Sequence, residues 1–329
     1  MADPAQGDFF TCDFFGASPK DDLGSMEHPI FSLSTRPDRR ILRYDHRGTQ
    51  ITVTPSVKGR ATIHDKDVLI YCVSQLIAGL NAGRDPARRL TLTAHDLLLA
   101  THRDTGGDAY TRLREAFERL AGTRITTNIA TGGIETTTGF GLIEDWQIVR
   151  RTKGGRMVSV SVTLPDWLYR AVLAKSVLTL SREYFRLRKP LERRVYELAR
   201  KHCGRQAEWP VGLGVLHKKA GSAAPIRVFR AAMRRMIAAD ALPDYHLAER
   251  SGDIVVVRPR RAPPDPATPR PSEDALEAAR ALQPGADVYA LVARWQASWV
   301  ARGKARLGDP DAAFLGWVRA LPPPDRSQR

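Results

Sequence analysis

Two stretches of this chain repeat one order of hydrophobic and polar positions. The first runs from about Thr93 to Val162 and the second from about Pro210 to Val257. In each, apolar residues recur at the spacing of a short helix and then, after a glycine-bearing turn, at the spacing of a longer helix. Apolar and polar residues next alternate on both sides of a turn, as they do in a β-hairpin. Each stretch therefore predicts two helices followed by a hairpin.

Two helices followed by a hairpin form a winged-helix module, whose second helix can enter the major groove while the hairpin lies on the DNA backbone. We therefore predict an α+β fold with two tandem winged-helix domains and a small C-terminal helical segment. The predicted divisions are a flexible acidic N-terminal arm over 1–27, a first winged-helix domain over 28–165, a second over 166–258, a proline-rich linker over 259–272 and helices over 273–329.

The first module (28–165) has candidate DNA contacts on its longer helix and on a basic turn. The outward positions of the helix hold Thr111, Arg112 and Arg119. The turn carries four cations, of which Lys153 and Arg156 lie at a glycine-rich tip suited to phosphate contact rather than base readout. A merely soluble turn explains the same residues equally well.

The second module (166–258) is the more basic one. Between Arg182 and Arg261, 19 Lys and Arg stand against eight acids, a net charge of +11, whereas 101–156 has a net charge of only +2. We therefore expect most of the electrostatic affinity here. Pro225 starts the helix of most interest. Its predicted buried face holds Ile226, Phe229, Met233, Met236 and Ile237.

Helical spacing places three arginines on one flank of that helix. Arg227, Arg230 and Arg234 follow an i, i+3, i+7 pattern, and Arg235 lies further round. A guanidinium can grip guanine with two hydrogen bonds, so we expect at least one of the three to read a base. The candidate DNA contacts of this module are Lys218, Lys219, Arg227, Arg230, Arg234 and Arg235.

Charge and composition narrow the class of protein. The 329 residues carry 51 Lys and Arg against 36 Asp and Glu, a formal charge of +15 that attracts phosphate backbones, anionic membranes or acidic proteins. The sequence shows no membrane span and no signal peptide, and its three cysteines form no zinc motif. These features favour a cytoplasmic protein. The acidic arm is expected to be disordered, with screening of the basic surface as the alternative.

Motifs for catalysis are missing from the sequence. It has no GxxxxGK[ST] loop, no GxSxG, no HExxH and no HxH pair. Asp65-Lys66-Asp67 is explained by helix capping and solvent exposure rather than by paired catalytic carboxylates. We therefore predict a protein that is not an enzyme, with no cofactor and no metal.

Several segments resemble the plasmid replication initiator protein A family over roughly 28–258. The strongest is Tyr184 to Gly204, YFRLRKPLERRVYELARKHCG, supported by Ala61–Asp67, Thr105–Gly107 and Leu120–Ile125. The resemblance implies tandem winged-helix domains that bind repeated origin sequences in double-stranded DNA, help open the duplex and recruit host initiator and helicase proteins. It implies that the second module reads bases, while the first gives backbone contacts and homodimerisation. It also implies a bacterial protein associated with the plasmid or nucleoid.

Two other functions remain open at this stage. A winged-helix transcriptional repressor shares every local feature, and initiators of this type often repress their own promoters. A non-specific nucleic-acid-binding structural protein predicts salt sensitivity without sequence preference. We expect 28–258 to suffice for specific binding. The three tryptophans after the linker are read as a helical core, with a partner-docking surface as the alternative.

Overall fold

The computed structural model describes residues 19–46, 48–131, 134–150, 157–204, 206–260, 268–283, 286–303 and 307–321. They fall into two units. One contains both predicted modules, and the other contains the C-terminal helices together with residues 76–86. No helix within the described ranges is long and apolar enough to span a membrane.

Ordered structure begins earlier than the sequence predicted. Strand β1 (Lys20–Asp22) pairs antiparallel with β9 (Val177–Thr179), and helix α1 (Leu23–Glu27) follows it directly. Asp22 caps α1 by accepting a hydrogen bond from the backbone N–H of Ser25. The boundary predicted at 28 is therefore wrong for residues 20–27. Asp22 caps α1, and the carboxylates of Asp21 and Glu27 pair with Lys66 and Lys219, so these acids do not form a solvated run.

The first module contains two antiparallel sheets. Its elements are β2 (Leu42–His46), β3 (Thr49–Thr54), α2 (Lys66–Asn81), β4 (Arg89–Leu92), α3 (Ala94–Ala100), α4 (Gly107–Gly122), β5 (Arg124–Thr131), β6 (Ile134–Gly141), β7 (Asp145–Arg150) and β8 (Met157–Thr163). The strand orders are β2-β3-β5-β6 and β4-β8-β7. The hairpin that directly follows α4 therefore extends the β2–β3 sheet, and β7–β8 is the hairpin in the wing position.

A connecting segment leads into the second module. Helix α5 (Asp166–Leu173), strand β9 and a 3-10 turn (Arg182–Arg186) precede α6 (Pro190–His202). Pro190 occupies the first turn of α6, where its missing N–H costs no helical hydrogen bond. The eight consecutive residues from Glu192 to Ala199 are buried and no residue of α6 is fully exposed, so this helix is an interior element.

The second module repeats the order β4, α3, α4, β7 and β8 of the first, without the β5–β6 hairpin that follows α4. Its elements are β10 (Trp209–Gly212), α7 (Leu213–Ala220), α8 (Ile226–Ala238), β11 (Tyr245–Arg250) and β12 (Ile254–Pro259). The strand order is β10-β12-β11, which corresponds to β4-β8-β7 of the first module. Each module thus has the order strand, two helices and hairpin, with the hairpin's second strand at the centre of a three-stranded sheet.

The C-terminal part of the second unit contains three helices in the described ranges. They are α9 (Glu273–Leu282), α10 (Val288–Ala301) and α11 (Pro310–Arg319). Trp295 packs edge-on against Phe314 with ring centroids 5.3 Å apart, and Trp317 packs against the same cluster. The tryptophan side chains therefore build a core, as the first of the two sequence readings expected. The α+β fold class is confirmed.

Candidate DNA-binding surface

Helix α8 presents one face to its own module and the other to solvent. Phe229, Met233 and Met236 are buried, and the ring of Phe229 meets His217 of α7 edge-on at 4.9 Å. Gly221 ends α7 in the left-handed conformation, with φ of +65°, and an added Cβ there would lie 2.5 Å from Pro29. The turn between α7 and α8 is therefore fixed by a position that only glycine fits.

The outward stripe of α8 is cationic and contains no acid. Arg227, Ala231, Arg234, Arg235 and Ala238 are exposed and follow one another at helical spacing. Arg227 and Arg235 form no ion pair with any residue in the described ranges. A small residue between arginines lets a helix backbone approach base edges closely, so this stripe suits a DNA groove.

Two of the four arginines are held by carboxylates of the β11–β12 hairpin. The Arg230 Nε and Nη2 donate to Asp253 at 3.1 and 2.6 Å, and those of Arg234 donate to Glu249 at 2.9 and 2.8 Å. These hydrogen bonds lower the pKa of Asp253 and of Glu249 below their ordinary values. Both pairs therefore stay charged at neutral pH.

The two lysines of α7 differ in exposure. Lys218 is exposed, as a DNA contact requires. Lys219 is buried, and its ammonium group donates to Glu27 while lying 3.4 Å from Nε2 of His202. The assignment of Lys219 as a DNA contact was wrong, because Glu27 of the supposed acidic arm is its partner.

The predicted contacts on α4 of the first module differ in exposure. On α4, Thr111 and Arg112 face solvent as predicted. Arg119 instead donates to both oxygens of Asp65, at 2.7 and 2.8 Å, and its side chain is only 19% exposed. This bidentate pair ties α4 to the start of α2, so Arg119 has a packing role and the prediction that it contacts DNA was wrong. Lys153 and Arg156 lie outside the described residues.

A buried charge cluster lies behind this surface, formed by Asp21, Lys66, Asp67, Arg193, Arg194 and Glu197. The Lys66 ammonium lies 2.6 Å from Asp21 and 3.0 Å from Glu197. Arg193 lies 2.5 Å from Asp67, and Arg194 lies 3.1 Å from Glu197. All six side chains are at most 3% exposed. The interpretation of Asp65-Lys66-Asp67 as solvent-exposed was therefore wrong.

Arg194 is the most heavily bonded member of this cluster. Its guanidinium donates to the backbone oxygens of Ser25, Met26, Glu27 and Lys219 as well as to Glu197. It thereby joins α1, α6 and α7. The arginines at the centre of the most distinctive sequence segment are structural.

Charge counting along the sequence therefore overstated the basic surface of the second module. Of the 19 cations between Arg182 and Arg261, 17 lie in the described ranges, and eleven of these form ion pairs within the fold. Some of their partners, such as Glu27 and Asp67, lie far outside the span that was counted. Among the described cations of this span, Arg188, Lys218, Arg227 and Arg235 are exposed and form no ion pair, and two of these four lie on α8.

Sequence reasoning missed the apolar part of the α8 surface. Ile226 was predicted to be buried but is 40% exposed, and Val228 beside it is 45% exposed. Both lie in the first turn, beyond the reach of the module's core. Together with Ala231 they can contact thymine methyl groups. The signal was available, because Val228 lies outside the Phe229-Met233-Met236 stripe.

The described residues contain no group of three or more His, Cys, Asp or Glu side chains that could hold a metal ion. The surface offers guanidiniums, an ammonium and small apolar side chains. Its chemistry is that of hydrogen-bond donation and charge attraction.

Comparison with known proteins places this arrangement in a family. The family described as replication initiator protein A matches residues 20–247. A putative replication protein of Wigglesworthia glossinidia brevipalpis is 36% identical over 244 residues, which cover 73% of this chain and 88% of that protein. The solved structure of domains 2 and 3 of RctB is similar with a TM-score of 0.51 at 15% identity, covering 69% of this chain and 93% of that one. That likeness shows the fold alone. The match over 20–247, on both modules and on β1 and α1, shows that the chain belongs to the replication initiator protein A family.

Proposed function

We propose that this chain is a plasmid replication initiator that binds repeated origin sequences in double-stranded DNA, with α8 in the major groove. The family and the putative replication protein support a role in replication initiation. One observation supports α8 as the helix that reads the DNA sequence. The helix carries four arginines on or beside its outward stripe, has no acidic residue, and places alanines between the arginines.

In this proposal the two modules make different kinds of contact with DNA. Arg227, Arg230 and Arg234 provide base contacts, and Arg235 and Lys218 bind phosphates. Thr111 and Arg112 of α4, with Lys153 and Arg156 of the β7–β8 turn, position the first module on the backbone. The first module also mediates homodimerisation. Opening of the origin, recruitment of host initiator and helicase proteins, repression of the chain's own promoter and a cytoplasmic, plasmid-associated location complete the proposal.

Footprinting tests it. The full chain is incubated with DNA flanking its coding region, and protected positions are mapped at several salt concentrations. Protection of direct repeats is expected. A single protected inverted repeat would instead indicate a repressor, and salt-sensitive binding without defined protection would indicate a non-specific binding protein.

A further inference from the structure

The hairpin of the second module carries two carboxylates against the arginines proposed to read DNA. Asp253 lies in the hairpin turn and Glu249 on β11, and each accepts two hydrogen bonds from one arginine of α8. A negative charge beside a phosphate-binding surface repels DNA. Both carboxylates are exposed enough to meet it, with Asp253 49% and Glu249 33% exposed. We therefore expect these two carboxylates to have a function that offsets their repulsion of DNA.

The way the carboxylates bind leaves the tip of each guanidinium free. Both pairs use Nε and Nη2, the side edge of the guanidinium. A guanidinium has five N–H groups, so the two on Nη1 and one on Nη2 remain. Neither Nη1 donates a hydrogen bond to a protein atom in the described ranges. The Nη1–Nη2 edge is the fork that can bind O6 and N7 of guanine.

The backbone conformation at Asp253 indicates that the carboxylate there has a function. Asp253 has φ of +56° and follows Gly252 at +81°. Left-handed conformation is most easily adopted by glycine, and a side chain there carries a steric cost. The Asp253 backbone oxygen accepts a hydrogen bond from the N–H of Leu213, at 2.8 Å, so the turn is fixed to the start of α7. The carboxylate of Asp253 is thereby held at one place beside Arg230.

We propose that Asp253 and Glu249 are positioning residues for sequence specificity. They hold Arg230 and Arg234 by the side edge, so that each guanidinium presents its free fork to guanine in the groove. This inference rests on the proposed function and deepens it. Fixing an arginine before binding reduces the conformational entropy lost in the complex. The nearby negative charge also weakens contacts with phosphates, which are the contacts that any sequence offers.

The test compares Asp253→Asn and Glu249→Gln with the wild-type full chain. Affinity is measured for the DNA segment protected in the footprint and for a scrambled segment of equal length. Each variant is expected to lower the ratio of the two affinities about tenfold, with binding to scrambled DNA unchanged or tighter. Asn is tolerated at positive φ, so Asp253→Asn keeps the turn. Glu249 lies on a regular strand and gives an independent variant.

Glu208→Gln is the matched control. The side chain of Glu208 is 34% exposed, close to that of Glu249, and it pairs with Arg250 and Arg258 of the same sheet. The variant therefore removes an equal charge from the module without touching α8. It should leave the affinity ratio unchanged. An unchanged or higher ratio in both Asp253→Asn and Glu249→Gln overturns the inference, as does an equal drop in Glu208→Gln.

Failure of the inference and failure of the proposed function give different results. A wild-type chain that discriminates, with variants that discriminate equally, contradicts the positioning role alone. A wild-type chain that binds both segments equally contradicts the proposed function, and the inference fails with it.

Discussion

Helices α6 and α8 are both arginine-rich and amphipathic, but the fold uses their arginines in opposite ways. On α6, Arg193 and Arg194 are 3% exposed and bind carboxylates and backbone oxygens. On α8, Arg234 also binds a carboxylate, that of Glu249, but its side chain is 59% exposed, and Arg227 and Arg235 are exposed with no ion pair in the described ranges. The difference comes from the surroundings. Helix α6 carries Glu197 one turn from Arg194 and lies against the Asp67 side chain of α2, whereas α8 has no acid of its own. An arginine-rich helix is therefore a DNA-binding candidate only after its internal partners are known.

Cations that bind partners inside the fold should matter for stability. The largest loss of stability is therefore expected for a fragment that begins at residue 28. It lacks Asp21 and Glu27, so Lys66 and Lys219 lose partners inside the fold. Removing one member of a buried pair costs about 3–5 kcal/mol. Asp21 is buried and Glu27 is 21% exposed, so we expect 28–258 to unfold at lower denaturant concentration than 19–260, by about 3–5 kcal/mol in the free energy of unfolding. Equal stability of the two fragments would show that residues 20–27 are dispensable, as the sequence alone suggested.

Arg194→Met should be the most damaging single change. It leaves Glu197 without one cation and four backbone oxygens without a donor. We expect a loss of about 3–5 kcal/mol in the free energy of unfolding, measured by urea denaturation. Arg227→Met on α8 is the control and should stay within about 0.5 kcal/mol of wild type. Similar losses in both variants would remove the distinction between the two helices.

Lowering the pH should reduce the free energy of unfolding through His64. Burial and the charge of Arg193 lower the pKa of His64 to about 4, compared with about 6.5 in the unfolded chain. At His64 the unfolded chain therefore binds more protons between these pH values, so the contribution of this residue to the free energy of unfolding falls as the pH drops from 7 to 5. We expect this fall to be about 1–2 kcal/mol. His64→Gln should flatten the pH dependence, and an unchanged slope would contradict the assignment.

Loss of an exposed arginine should weaken DNA binding without affecting folding. Arg227→Ala is expected to lower affinity for the footprinted segment about tenfold, or about 1.4 kcal/mol. Arg186→Ala removes another exposed cation, on the 3-10 turn, and should change affinity by less than about twofold. Fluorescence anisotropy titration measures both. Equal effects would mean that position on α8 does not matter.

The smallest effect is expected on α4. Arg112→Ala should weaken binding about threefold for the footprinted and scrambled segments alike, and lower the slope of log affinity against log salt by about 1. Titrations at several salt concentrations measure this slope. A loss confined to one base position would show that the first module also reads sequence.

The sequence predicted the features that are encoded locally. The helices of both modules, the buried stripe of Phe229, Met233 and Met236, and the C-terminal helices with their core tryptophans follow from spacing, caps and turns within one segment. The pairing of β5–β6 with β2–β3 was missed, because a strand's pattern does not name the sheet that it joins.

Errors in the candidate site have a common cause. The sequence placed Arg119 and Lys219 on outward positions, but each forms an ion pair with a carboxylate from a distant segment. Asp65 is 54 positions from Arg119, and Glu27 is 192 from Lys219. Helical periodicity shows which way a side chain points from its own helix. It does not show which other element lies there.

The most direct test of the central claim uses charge-conserving variants of α8. Arg227→Lys, Arg230→Lys and Arg234→Lys are each titrated against the footprinted segment and every single-base variant of it. Lys keeps the charge but lacks the planar fork, so we predict that discrimination at one base pair is lost in at least one variant, while affinity for scrambled DNA and the free energy of unfolding stay near wild type. If all three variants keep the wild-type preference at every position, α8 is not the helix that reads the sequence.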